Sequence, residues 1–313
     1  MSNSRLDALR MVDPVLTTLV SGYSNSAYIA HKLFPLITVS KMKGKIPVFG
    51  KEAFAVHETE RAIRAASNRI PPPGTSLVTF ETNERDIETA IDYLEEEESS
   101  DSFRYEQKVT KDLMDILLLG HEKEAADFVQ NPANYAATMR TALTSANAFD
   151  NYSAATGPID VINTAKEAIR SRIAKYPNVM VMGTSVYNAL INNPYITDLI
   201  KYSEFPLVTG DILKKVFGVD QLYIGFSVYS EDGDGFTDVW GDNIILAYVD
   251  TTPNSPSEFN PSFGYTFRRE GMPEVDTYYE NGGKIKVIRA TDNYCIKVTA
   301  EDAAFLISDC NHN

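Results

Sequence analysis

Pro177-Asn178-Val179-Met180-Val181-Met182-Gly183 is the stretch from which the architecture can be read. Four apolar residues run unbroken between the Tyr176-Pro177 break and Gly183. A run this short, bounded by turn residues, reads as a buried strand. Thr184 or Ser185 is expected to cap a helix through Ile191, and Asn193-Pro194 breaks it. Two more short helices are predicted over 196–202 and 211–217. Upstream, Gly157-Pro158 opens a helix with proline in its first turn. Ile162, Ala165, Ile169 and Ile173 mark its buried stripe. Helix and strand alternate through this block, so it reads as a compact α/β unit.

After the block the pattern turns to strand. Strands are predicted over 222–229 and 237–249, joined by the hairpin tip Glu231-Asp232-Gly233-Asp234-Gly235. A loop with three prolines spans 251–261. Strands follow over 265–269, 274–279, 284–289 and 294–298, with turns at Gly271, Asn281-Gly282-Gly283 and Asp292-Asn293. Residues 300–309 form a short helix or a final strand. Before the block, 133–149 is rich in small residues and is predicted helical. The strongest helix covers 103–129, with Val109, Leu113, Ile116, Leu117, Gly120 and Phe128 at spacings of three and four. It would run ~40 Å. An acidic turn over 92–102 precedes it, and Ser100, Asp101 or Ser102 caps its start. Residues 41–90 look extended, with strands at 45–49 and 77–80 around the breaker Pro71-Pro72-Pro73-Gly74. This excursion is either a disordered insertion or a hairpin resting on a neighbouring subunit. Residues 1–40 read as an arm with one short helix near 14–21. Its apolar side chains need a surface to lie on. No internal repeat is present.

The 313 residues include 43 acids and 29 bases, for a net charge of −14. That argues against a phosphate-neutralising coat. The charge is uneven. Residues 1–80 carry ten bases and five acids, whereas 81–130 carry five bases and 16 acids. A basic quarter on an acidic body suits nucleic acid or the acidic surface of another copy. Cys295 and Cys310 alone make neither a disulfide framework nor a four-cysteine zinc site, and read as reduced, buried thiols. No signal-peptide pattern or membrane-length apolar run occurs, so a soluble protein made in a cytoplasm is expected.

Catalytic constellations are missing. There is no phosphate loop and no Gly-x-Gly-x-x-Gly after a strand, and Gly183-Thr184-Ser185 lacks the next glycine of a nucleophile elbow. His121 and Glu124 share a helix face, but Ala125 stands where a zincin needs its second histidine, so a solvated face is expected. The stretch 231–238 resembles a calcium loop, with Ser230 and Gly241 in its two critical ligand places. Glu95, Glu96, Glu97 and Glu98 read as a solvated charge run. Lys41, Lys43 and Lys45 alternate along an extended segment, as a solvated edge or a contact with acidic neighbours. No catalytic residue, cofactor or metal site is assigned. Little chemistry, an apolar arm and a long basic excursion together suggest self-assembly.

Several stretches resemble a known family. They are 177–183 with Ala189-Leu190 and Asn193-Pro194-Tyr195-Ile196; Phe217-Gly218-Val219-Asp220-Gln221-Leu222-Tyr223-Ile224-Gly225; Trp240-Gly241-Asp242-Asn243-Ile244-Ile245-Leu246-Ala247-Tyr248; and Pro261-Ser262-Phe263-Gly264-Tyr265-Thr266-Phe267. In this order they resemble the major capsid proteins of tailed bacteriophages, whose Hong Kong-type fold is shared with encapsulins. The resemblance implies an α+β fold. It divides into an N-terminal arm (1–40), an extended β-hairpin loop (41–92), a peripheral domain with a spine helix (93–150), an axial α/β domain (151–254) and return strands of the peripheral domain (255–313). It implies a non-enzymatic subunit that assembles as hexamers and pentamers into an icosahedral head around DNA. The loop would lie over a neighbour and the arm beneath or along one. Candidate inter-subunit contacts are then Lys41, Lys43, Lys45, Arg61, Arg64 and Arg69 on the basic side and Glu95, Glu96, Glu97 and Glu98 on the acidic side. Expected partners are further copies, a separate scaffolding protein, a portal, and packaged DNA by non-specific proximity, with no membrane. The place expected is the virion, after assembly in the host cytoplasm. Competing readings are an encapsulin-like shell, a small-molecule enzyme with its site after Met182, and a nucleic-acid-binding module using the basic quarter.

Overall fold

The structure is a computed structural model that describes residues 10–21, 23–47, 56, 59–61, 67–69, 77–98, 102–153, 157–201, 207–250 and 262–312. Two sheets organise these residues. In the axial sheet, Val179–Gly183 pairs antiparallel with Ile244–Ala247 and parallel with Gln221–Gly225. Ile244–Ala247 pairs in turn with Ala304–Ser308, and Arg140–Ala142 closes that edge in parallel. All of Val179–Gly183 and Ile244–Ala247 is buried, as uninterrupted apolar strands covered on both faces must be. The helix Pro158–Ile173 buries the expected stripe Ile162, Ala165, Ile169 and Ile173 in the same core.

The peripheral sheet is built on one strand, Ile285–Val298. Along one side it pairs with Asn83–Asp92. Along the other, its first half pairs with Glu274–Glu280 and its second with Gly264–Arg269. Met11–Val12 and Leu36–Val39 extend this side. The spine helix Ser102–Gln130 crosses one face, where Leu113 and Met114 meet Ile91, Val275, Ile288 and Ala290. A second hairpin, Lys43–Pro47 with Leu77–Glu81, folds onto this sheet through Ile46 and Phe80. Phe80 stacks on Phe267 with centroids 4.6 Å apart. A Cβ at Gly44 would stand 2.6 Å from that ring, so the close approach requires glycine.

The structure differs from several expectations. Part of the apolar arm lies on the chain's own body, where Leu16 and Val20 join the spine-helix core and Ala30, Leu33 and Phe34 the axial core, while Val15 and Leu36 stay exposed. Residues 83–92, grouped by sequence with the loop, are a strand of the sheet. The acidic stretch after it is a short helix, Tyr93–Glu98. The predicted helix over 133–149 is two 3-10 turns and the strand Arg140–Ala142, because Asn131-Pro132 ends the spine helix and the strand finds Ala304–Ser308. Asp292-Asn293 makes no turn. Both residues are buried mid-strand opposite Arg85 and Glu84, and Asp292 is ion-paired to Arg268 at 2.9 Å. Neither Thr184 nor Ser185 caps the helix Thr184–Asn192; the N-cap is Gly183, and the Thr184 hydroxyl donates to the Gly225 carbonyl. The predicted strands 222–229 and 237–249 each break in two. The breaker 71–74, the loop 251–261, and the caps Ser100 and Asp101 lie outside the described residues.

Candidate assembly surfaces

The frame that holds any assembly surface is set at the C-terminal third of the spine helix. Glu122 is fully buried, and its carboxylate accepts from three donors. They are the backbone N–H of Ile29 at 2.9 Å, that of Ala30 at 2.7 Å, and the Trp240 indole N–H at 2.6 Å. One side chain thus ties arm, spine and axial domain. Burial pushes its pKa up, while those donors pull it back. Two turns on, Gln130 accepts from the Gly241 N–H at 2.7 Å and the Asn243 amide at 2.9 Å, and donates to the Val239 carbonyl at 2.9 Å. The helix therefore grips the segment 239–243 at both ends. That segment also seals the strand end after Met182: a Cβ at Gly183 would lie 2.0 Å from the Gly241 carbonyl. Backbone carbonyls of Trp240 and Gly241 thus stand directly against Gly183.

His121 contradicts the expected solvated face. It is buried, its ring sits 3.1 Å from the Thr266 hydroxyl, and it packs edge-on against Tyr294. Burial, with Arg268 and Arg85 nearby, lowers its pKa to about 3. Glu124, nearly one turn further on the same face, pairs with Arg85 at 2.7 Å. The arm is tied to the same helix by Tyr23, whose hydroxyl donates to Asp115 at 2.7 Å and is pushed up to about 12 by that bond.

Many of the spine's acids are therefore used within the chain. Glu106 is bonded to Lys286, Glu124 to Arg85, and Asp127 to Lys123. The acids left facing solvent lie earlier. Glu84, Asp86 and Glu88 project from one face of Asn83–Asp92 and are exposed. Glu95, Glu97 and Glu98 are exposed on the helix Tyr93–Glu98, and Glu96 is half-buried. On the basic side, Lys41, Lys43 and Lys45 are exposed at the second hairpin, and Lys43 pairs with Glu81 of its own chain at 2.6 Å. Arg61 and Arg69 are exposed, and Arg64 lies outside the described residues. Within one chain the lysines and the glutamate run do not meet. Lys43 stands opposite Glu81, and the ten-residue strand Asn83–Asp92 separates that point from Tyr93. At ~3.4 Å per residue this is roughly 30 Å.

Sequence reading missed Glu122, Gln130 and the acidic face of 84–88. The first two look like ordinary polar helix residues, and only the partner segments reveal them. The third had a signal, carboxylates at every second residue of a strand.

Comparison with known proteins supplies the context for this frame. No family model matches the chain. Over 309 residues it is 42% identical to the major capsid protein of Burkholderia phage BcepMu, covering 98% of this chain and 99% of that protein. The crystal structure of a phage-related protein of Bordetella bronchiseptica RB50 matches with a TM-score of 0.80 at 30% identity, over 97% of this chain and 99% of that one. The capsid protein of cyanophage P-SCSP1u matches in fold, with a TM-score of 0.56 at 13% identity, over 93% and 92% of the two chains. With near-full-length identity of 42% and the two-sheet, spine-helix fold of capsid subunits, this chain belongs to the major capsid proteins of tailed bacteriophages and is a structural subunit of a phage head.

Proposed function

We propose that copies of this chain close the head as hexamers and pentamers, with the basic hairpin of each copy lying on the acidic surface of the next. The observation that carries this is the separation of charge: Lys41, Lys43 and Lys45 stand at one end of Asn83–Asp92 and Glu95 to Glu98 at the other. Opposite charges too far apart to pair within one chain are positioned to pair between two. Arg61 and Arg69 extend the basic side, Arg64 adds to it in sequence, and the contact steers register more than it supplies affinity. In this reading the chain has no catalytic role. Its further partners are a separate scaffolding protein and a portal. A net charge of −14 keeps packaged DNA at non-specific proximity. The subunit resides in the virion after assembly in the host cytoplasm.

Negative-stain electron microscopy of the expressed chain tests the reading, with closed shells or rings of five and six expected. Reversing Lys41, Lys43 and Lys45 to Glu is expected to block or misregister those assemblies. Normal shells from that variant overturn the charge-matched contact.

A further inference from the structure

We infer that Asn83–Asp92 receives the strand Lys43–Pro47 of a second copy along its open edge, in parallel register, with Lys41, Lys43 and Lys45 beside Glu84, Asp86 and Glu88. The inference rests on the shell reading above and narrows it: within the neighbour's acidic surface the lysines lie on the row Glu84, Asp86 and Glu88, and the chain beyond them runs towards Glu95 to Glu98.

Two unpaired edges carry the argument. Asn83–Asp92 is ten residues long, and its one strand partner among the described residues is Ile285–Val298. Among the described residues Lys43–Pro47 likewise pairs with Leu77–Glu81 alone. A long open edge is a template for strand addition, and charged side chains decide what it accepts. The charges here are written in the same period. Ile87 and Ile91 of Asn83–Asp92 turn to the spine-helix core, so Glu84, Asp86 and Glu88 share the other face. Gly44 and Ile46 turn to Phe80 and its core, so Lys43 and Lys45 share the outward face of their strand, with Lys41 just before it. Both sets repeat every second residue, about 7 Å apart on any strand. Lys43 and Lys45 therefore stand beside Asp86 and Glu88 with no adjustment of spacing, and Lys41, just before the strand, falls towards Glu84. Like edges repel: a second Asn83–Asp92 would set carboxylates against carboxylates.

Existing bonds leave this pairing open. Glu88 accepts from the Tyr278 hydroxyl at 3.0 Å and retains its second oxygen, and Glu84 and Asp86 have no ion pair among the described residues. Lys43 holds Glu81 at 2.6 Å, so it would bridge Glu81 and Asp86 of two copies. The register is chosen by direction. With the strands parallel, the chain beyond Lys45 continues along Asn83–Asp92 towards Tyr93–Glu98, where the glutamate run begins.

The test is cysteine pairing between separate chains. Particles are co-assembled from Lys45→Cys chains and either Glu88→Cys or Glu84→Cys chains, all with Cys295→Ser, and oxidised. A dimer band from the 45–88 pair and none from the 45–84 pair is expected, because adjacent strand positions fall within disulfide reach and positions four residues further on do not. Particles with no 45–88 link overturn the strand addition while leaving the shell reading standing. A second measurement guards against variants that do not assemble. Glu84→Lys/Asp86→Lys/Glu88→Lys is expected to lower the yield of closed particles at least tenfold with an unchanged melting temperature. Adding Lys41→Glu/Lys43→Glu/Lys45→Glu is expected to restore it. An unchanged yield from the first triple variant, or no recovery from the combination, overturns the inference.

Discussion

Val179–Gly183 of the axial sheet is buried at every residue, whereas Asn83–Asp92 of the peripheral sheet is buried only at Ile91. The first strand sits between two others and is covered on both faces. The second has one partner, one covered face and a row of carboxylates on the other. Burial within a single chain thus separates a strand covered on both faces from one left open on its charged side. The axial core is complete in one copy. The peripheral sheet stops at a charged edge, and its exposed side chains contribute little to the stability of the lone chain.

The contrast breaks most directly at Glu122, which joins the two regions. Glu122→Ala leaves two backbone N–H groups and the Trp240 indole without their acceptor. A loss of about 4 kcal/mol is expected from three unsatisfied buried donors. Urea unfolding should then show two transitions, axial and peripheral; one unshifted transition would show that the junction does not couple them. Leu246→Ala and Asp86→Ala sharpen the contrast. Leu246 is fully buried, and its truncation should cost about 3 kcal/mol in chemical unfolding. Asp86→Ala, on the exposed row, should stay within about 0.5 kcal/mol while lowering particle yield. Equal losses at the two sites would erase the distinction.

His121 gives the junction a pH dependence. Its pKa is lowered from 6.5 to about 3, so the unfolded chain binds the proton more readily than the folded one. The stability this group supports is full above pH ~6.5 and is lost as pH falls towards 3, about 3 kcal/mol of it by pH 4. Glu122, pushed up by burial, works in the opposite sense and favours the folded state as pH falls. Melting curves of the parent and His121→Gln from pH 7 to 4 isolate the histidine: the parent should lose the greater stability, and parallel curves would refute the assignment. A modest gain is expected at Gly120, an exposed helix residue around which a Cβ would meet nothing within 4 Å. Gly120→Ala should stabilise by about 1 kcal/mol, read as a higher melting temperature.

The spine helix shows how much of this was legible. Its span was predicted to within a residue at each end, because Asn131-Pro132 is an unambiguous stop. Its buried face was legible in part: Leu113 is buried, and Val109 and Leu117 pack against the same core. Glu106, Thr110, His121 and Glu122 are buried, whereas Ile116 is 52% exposed and Phe128 37%. A stripe containing that many polar groups is invisible to hydrophobic spacing, since each is buried only because a partner arrives from elsewhere in the chain. The same cause hid the uninterrupted course of Ile285–Val298. Asp292-Asn293 has the composition of a turn, and Arg268 and the paired strand Asn83–Asp92 override it. Strands of pure apolar character, such as Val179–Gly183, needed no such information. Of the assembly surfaces, the lysines were visible through their alternation. The acids beside which they are proposed to lie were scattered through a strand that read as part of a loop.

The position of Ala304–Ser308 has a consequence for timing. It is an interior strand, held between Ile244–Ala247 and Arg140–Ala142, and it buries Phe305, Leu306 and Ile307. A growing polypeptide on the ribosome cannot close the axial sheet until residue 308 has emerged. Every shorter nascent chain leaves the edge of Ile244–Ala247 open and its own core unfinished. The strand order thus makes closure of the axial sheet wait on a strand far along the chain from its partners at 140–142 and 244–247.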